Sequence, residues 1–141
     1  MTIKIKKIRE DAIIPKYVRE GDAAMDLYSC EETIIPPNER RIIGTGIAMA
    51  LPPGYAGLVW DRGGCAAKYG LKTMGGVLDS NYRGELKIIM HNLSNELFKI
   101  EKGMRIAQML IQAVEQKTFE IVEELDDTIR GEDRFNSSGL K

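Results

Sequence analysis

A carboxylate and a phenol ring stand three residues apart in the segment G-G-V-L-D-S-N-Y-R-G-E, residues 75–85. The apolar run up to Leu78 reads as a strand. Ser80-Asn81 is turn chemistry, because Asn tolerates positive φ, so Asp79 and Tyr82 are expected to face each other across the mouth of a hairpin. An acid and an aromatic ring sharing one small surface have the makings of a reaction centre. The same residues also suit a plainer arrangement, in which Asp79 caps the turn through its side-chain oxygen and Tyr82 packs on a neighbour.

A second group suits anions. Asp61-Arg62-Gly63-Gly64 leads into residues 65–69, one or two turns of helix that Gly70 would end in a left-handed conformation. Backbone N–H groups, the positive end of a helix and a guanidinium can converge there on phosphate, although Arg-Gly-Gly before a helix is also an ordinary connection. Near the C-terminus Ser137, Ser138 and Gly139 offer hydroxyls and N–H groups beside Phe135, a second phosphate-type signal in what is otherwise a Ser-rich tail. Asp26, in A-A-M-D-L-Y-S, points away from the face shared by Met25 and Leu27; it can orient water or magnesium, or be a solvated strand residue. Gln108 sits among apolar residues and needs a hydrogen-bond partner, for which a backbone group suffices. Cys30, Cys65 and His91 read as structural side chains, since no His adjoins either cysteine in sequence.

The elements that must position these groups are short. Runs rich in Ile, Val, Leu and Tyr at 3–8, 25–28, 33–35, 41–50, 55–60, 86–92, 97–100 and 119–122 alternate with Pro-, Gly- and Asn-rich turns. That spacing predicts an all-β antiparallel sandwich or barrel. Residues 104–114, M-R-I-A-Q-M-L-I-Q-A-V, are good helix formers whose apolar positions fit either period, and local propensity favours a helix.

With 141 residues the chain is one domain, and its formal net charge of -1 gives no global footprint for nucleic acid or an anionic membrane. Two cysteines and one His supply neither a disulfide framework nor a zinc cluster, which suits a reducing, cytoplasmic setting. The alternating apolar and basic N-terminus reads as a strand; it has no run suited to a signal peptide or membrane span. Residues 1–128 are expected to form the β domain and 129–141 a mobile arm, able to span about 40 Å when extended at ~3.3 Å per residue and so to reach a neighbouring subunit.

Five segments in order carry a resemblance that covers nearly the whole chain: A-A-M-D-L-Y-S (23–29), W-D-R-G-G-C-A-A-K-Y-G (60–70), G-G-V-L-D-S-N-Y-R-G-E (75–85), G-M-R-I-A-Q-M (103–109) and R-G-E-D-R-F-N-S-S-G (130–139). The chain resembles the trimeric deoxyuridine triphosphatases, which hydrolyse dUTP to dUMP and pyrophosphate. The resemblance implies a jelly-roll-like β domain with one short helix. It also implies a homotrimer with shared active sites, a flexible C-terminal lid arm, and a strand around Gln108, against the local helix reading. Carried over by position, Asp79 would activate the attacking water and Tyr82 would stack under deoxyribose. The backbone of Gly76, Val77 and Leu78 would read uracil, while Arg62, Gly63 and Gly64 would hold phosphate. Gln108 would help place water or phosphate, and Asp26 would act through water on Mg2+ held mainly by the triphosphate. Arg130, Phe135, Asn136, Ser137 and Ser138 would belong to the lid.

The chain departs from that family pattern in places. Gly63 stands where Ser is usual, removing a hydroxyl expected near the α,β-bridging oxygen, and Asn81 replaces the usual Asp or Gly of the turn. In the arm, Arg134 and Asn136 stand where Gly is common and Ser138 where Thr is common. Gly63 keeps open a second reading, a trimeric nucleotide-binding regulator with weakened catalysis. The related dCTP deaminases would need a second Arg where this chain has Ala67.

Overall fold

The computed structural model describes residues 2–132, 134 and 138; the expectations for Phe135, Asn136 and Ser137 fall outside the described residues. Eleven strands and one helix are present among the described residues: β1 Lys4–Lys7, β2 Met25–Tyr28, β3 Thr33–Ile35, β4 Arg40–Gly44, β5 Ile47–Ala50, β6 Tyr55–Trp60, α1 Gly63–Tyr69, β7 Leu71–Met74, β8 Val77–Leu78, β9 Lys87–Asn92, β10 Phe98–Ile100 and β11 Arg105–Ala113. All strand pairing is antiparallel, in sheets ordered β2-β11-β6-β8, β4-β9-β7, β1-β5 and β3-β10. The result is the jelly-roll-like all-β architecture expected from the sequence.

The inward residues of these sheets form one core. Leu27, Ile35, Ile43, Ile47, Ile88, Met90, Ile100, Ile106 and Met109 are almost wholly removed from solvent. Each such side chain contributes about 1.5–3 kcal/mol through burial. The polar residues Ser29, Thr45, Thr73 and Asn92 are buried as well, and the most enclosed of them, Asn92, is fully hydrogen-bonded. Its Nδ2 donates to the carbonyls of Ile35 (2.9 Å) and Glu96 (2.7 Å), while Oδ1 accepts from the backbone N–H and hydroxyl of Ser94.

Four local expectations are corrected. Residues 104–114 form no helix. Arg105–Ala113 is a strand held on one side by β2 and on the other by β6, and this two-sided pairing overrides the helix-forming composition. The run 41–50 is two strands, broken at Thr45-Gly46, where Gly46 has φ 70. Residues 119–122 form no strand; Phe119 and Ile121 lie fully in the open, with no sheet edge beside them. The turn after Leu78 exists but does not close a hairpin, because β8 pairs with β6 whereas the next strand, β9, pairs with β4 and β7 in another sheet. The short helix is as expected, starting two residues earlier and ending at Gly70 with φ 63.

Candidate functional site

The turn at Asp79 is closed by main chain, the Tyr82 N–H donating to the Asp79 carbonyl at 3.2 Å. Arg83 braces it by donating to the carbonyls of Ser80 and Tyr82, both at 2.7 Å. The Asp79 carboxylate is therefore not spent on capping, and it makes no hydrogen bond or ion pair among the described residues. The Tyr82 hydroxyl donates to the Glu85 carbonyl at 3.1 Å, and a Cβ at Gly84 would collide with that hydroxyl. Asp79 and Tyr82 line one cavity of about 210 Å3 with Gly76, Val77 and Leu78.

Gly76 is required by close approach. Its carbonyl accepts from the Val59 N–H at 2.7 Å, and a Cβ there would be driven into the Val59 carbonyl oxygen. β8 is an end strand of its sheet, bonded to β6 along one edge only, so backbone N–H and C=O groups of its outer edge remain available to a ligand.

A second cavity, of about 520 Å3, is lined by Asp26, Arg62, Gly63, Gly64 and Gln108, together with Arg19, Asp22 and Arg105. Asp26 on β2 points outward between the buried Met25 and Leu27, as expected. It bridges two guanidinium groups: Arg62 Nε donates to Oδ1 at 2.9 Å and Arg105 reaches Oδ2 at 3.3 Å. Arg62 also donates to the Arg105 carbonyl at 3.3 Å. Gln108 finds its partner in the backbone, Nε2 donating to the Asp61 carbonyl at 2.8 Å. Gly63 and Gly64 open α1 without a side-chain cap, so the first N–H groups of the helix have no intrahelical acceptor. A Cβ at Gly63 would meet nothing within 4 Å.

Asp61 stands behind this group. Burial pushes its carboxyl upward, but hydrogen bonds from the Thr73 backbone N–H and hydroxyl and from Lys72 outweigh that and hold it below the usual carboxylate range.

The two cavities share no lining residue. Pairing shows why. Asp26, Gln108 and Trp60 are cross-strand partners on β2, β11 and β6, whereas Val77 partners Leu58 on the far side of β6. Asp26 and the β8 residues thus occupy opposite outer strands, about 14 Å apart at ~4.8 Å per strand spacing. Cross-strand partners share a face, and on this one Trp60 is 54% and Val77 66% exposed.

Among the lid residues, Arg130 and Ser138 are described and exposed, and neither lines either cavity. Sequence reasoning missed Arg19, Asp22 and Arg105 as cavity residues, although Arg105 lies inside the 103–109 segment.

Comparison with known proteins settles the family. The dUTPase family model matches residues 10–139. The chain belongs to the dUTPase family. It is 48% identical to the deoxyuridine 5'-triphosphate nucleotidohydrolase of Clostridium kluyveri over 99% of both chains, and 45% identical to that of Nautilia profundicola over the same shares. Among solved structures, it superposes on the dUTPase of Staphylococcus bacteriophage 80alpha with dUpNHpp at a TM-score of 0.92, with 29% identity over 99% of both chains. A dUTPase from phage phi11 of S. aureus, whose structure details the coordination of a structural Mg(II) ion, gives a TM-score of 0.85 and 25% identity over 90% of this chain and 100% of the other.

Proposed function

We propose that this dUTPase family member hydrolyses dUTP to dUMP and pyrophosphate in the cytoplasm, as a homotrimer whose active sites are built from more than one copy. The observation that carries the reading is the unspent Asp79 carboxylate beside Tyr82 and the free edge of β8. Uracil would pair with the backbone of Gly76, Val77 and Leu78, where a wrong base leaves buried polar groups unsatisfied. Tyr82 would floor the deoxyribose and leave no room for a 2′-hydroxyl.

Asp79 would accept a proton from water as the water oxygen bonds to the α-phosphorus and the bond to the bridging oxygen breaks, releasing pyrophosphate. General-base assistance of this kind is worth about 10²- to 10⁴-fold. Gln108 donates an N–H to the Asp61 carbonyl, and its own amide oxygen would hold the water. Arg62 and the N–H groups of Gly63 and Gly64 would neutralise the departing charge. Arg130, Phe135, Asn136, Ser137 and Ser138, on the arm of residues 129–141, would close the site.

Asp26 gives both oxygens to guanidinium groups, so it would reach magnesium only through water and not as a chelating ligand. The cation, bound mainly by the triphosphate, would supply charge neutralisation on the leaving group.

Sharing between copies is supported by the separation of the two cavities and by the uncovered apolar face around Trp60 and Val77. Gly63 favours one competing reading, a regulator that binds dUTP and turns it over negligibly. Pyrophosphate release measured across the deoxynucleoside triphosphates decides between them. The wild type should act on dUTP alone, and Asp79→Asn should bind dUpNHpp yet release no pyrophosphate. Full activity in Asp79→Asn would refute its role.

A further inference from the structure

Arg62 and Gln108 reach the larger cavity from different elements, yet both adjoin Asp61: Arg62 follows it in the chain and the Gln108 amide bonds its carbonyl. Asp61 Oδ1 accepts from the Thr73 N–H at 2.6 Å and from the Thr73 hydroxyl at 2.7 Å, while Oδ2 accepts from Lys72 Nζ at 2.9 Å. Its backbone carbonyl accepts from Gln108 Nε2 at 2.8 Å. One residue therefore ties the end of β6 to β7 through its side chain and to β11 through its main chain. Asp61 itself does not line the cavity.

We propose that Asp61 is a positioning residue for phosphate transfer, its carboxylate clamp on Thr73 setting the backbone from which Arg62 projects and against which the Gln108 amide is oriented. The inference rests on the reading of this cavity as the triphosphate site. The connection from Asp61 to Gly64 contains two glycines, and α1 has no side-chain cap to hold its first turn. Without the clamp the Asp61 main chain is held only through the Gln108 amide and through the bonds Arg62 makes to Asp26 and the Arg105 carbonyl, and the two glycines leave that connection a wide conformational range in which to shift. Arg62 and Gln108 would then sample displaced positions together, although neither is itself altered.

The contacts predict an ordering of variants. All partners of the carboxylate are donors. Asn at this position can keep the two Thr73 bonds on its oxygen and loses only the contact to Lys72, whose side chain is half exposed. Asp61→Asn should stay within about threefold of the wild type, since exposed ion pairs are worth little. Asp61→Ala removes the clamp and should lower kcat for dUTP on the order of 10²-fold, the scale of a catalytic group misplaced by about 1 Å. Affinity for dUpNHpp should change much less than kcat, a split that loss of fold stability would not produce. Thr73→Val keeps the backbone N–H and deletes the hydroxyl, so it should fall between the two.

Steady-state pyrophosphate release and dUpNHpp titration on the four folded proteins test this. A folded Asp61→Ala with wild-type kcat overturns the proposal alone, because the active wild type beside it upholds the functional reading. A wild type that leaves dUTP intact overturns both. Should Asp61→Ala not fold, Thr73→Val decides: a kcat equal to the wild type's overturns the clamp, and a drop in kcat without matching loss of affinity supports it.

Discussion

The Arg62 guanidinium meets the Asp26 carboxylate at 2.9 Å while a second N–H of the same group reaches the Arg105 carbonyl at 3.3 Å. Two strands and the entry to a helix thus share one planar cation. A lysine keeps the charge but cannot span both acceptors. Arg62→Lys should lower kcat/KM for dUTP by about 10- to 100-fold, the worth of one charge-assisted hydrogen bond, while changing stability by no more than about 1 kcal/mol. Steady-state kinetics beside thermal melting checks it, and unchanged kinetics would contradict the assignment.

Gly63→Ser should preserve or raise turnover. There is open space around the position, so the serine enters without a clash and restores a hydroxyl where the departing pyrophosphate gathers charge. The gain could reach the order of 10²-fold if nothing else serves that oxygen. A marked fall in kcat would mean that phosphate lies differently here.

Ending the chain after Thr128 should cut activity steeply and leave the melting temperature nearly unchanged. Among the described residues the buried core ends at Met109, with Ile111 packed against it, well before the arm begins. Equal kcat in the shortened chain would reduce residues 129–141 to a tail.

Asp11 provides an acid-stability test away from the site. The Lys102 ammonium, then the Cys30 thiol, bond its carboxylate and lower its pKa from 3.8 to about 2. The folded value is depressed, so the contribution is complete above pH ~3.8 and disappears as pH falls through about 2. Asp11→Asn should therefore be less stable than the wild type at neutral pH, with the difference closing below pH ~3.8. Urea midpoints measured against pH would show it; a gap constant down to pH 2 would count against the pairing.

Much of the fold was legible because alternation between turn signals is a local property. The strands Met25–Tyr28, Thr33–Ile35 and Tyr55–Trp60 coincide with their apolar runs. What local pattern could not supply was the partner. Arg105–Ala113 is helix-forming in composition and becomes a strand because β2 and β6 flank it, while 119–122 is strand-like in composition but has no edge to join. β7 was missed although Leu71 and Thr73 alternate with exposed residues, since Gly70 and Gly75 leave only four residues between them. At the site, Asp79, Tyr82, Arg62, Asp26 and Gln108 stood out by type and local setting. Asp61 and Arg105 did not, because their meaning lies in Thr73, twelve residues away, and Asp26, seventy-nine away.

The placement of Asp26 and the β8 edge on opposite margins of one sheet has a genetic corollary. If each catalytic centre borrows its halves from different chains, two defective alleles need not add up to a defective population. Chains inactivated at Asp26 and chains inactivated at Asp79, unfolded and reassembled together, would regain part of the lost turnover by complementation, whereas either alone would stay silent.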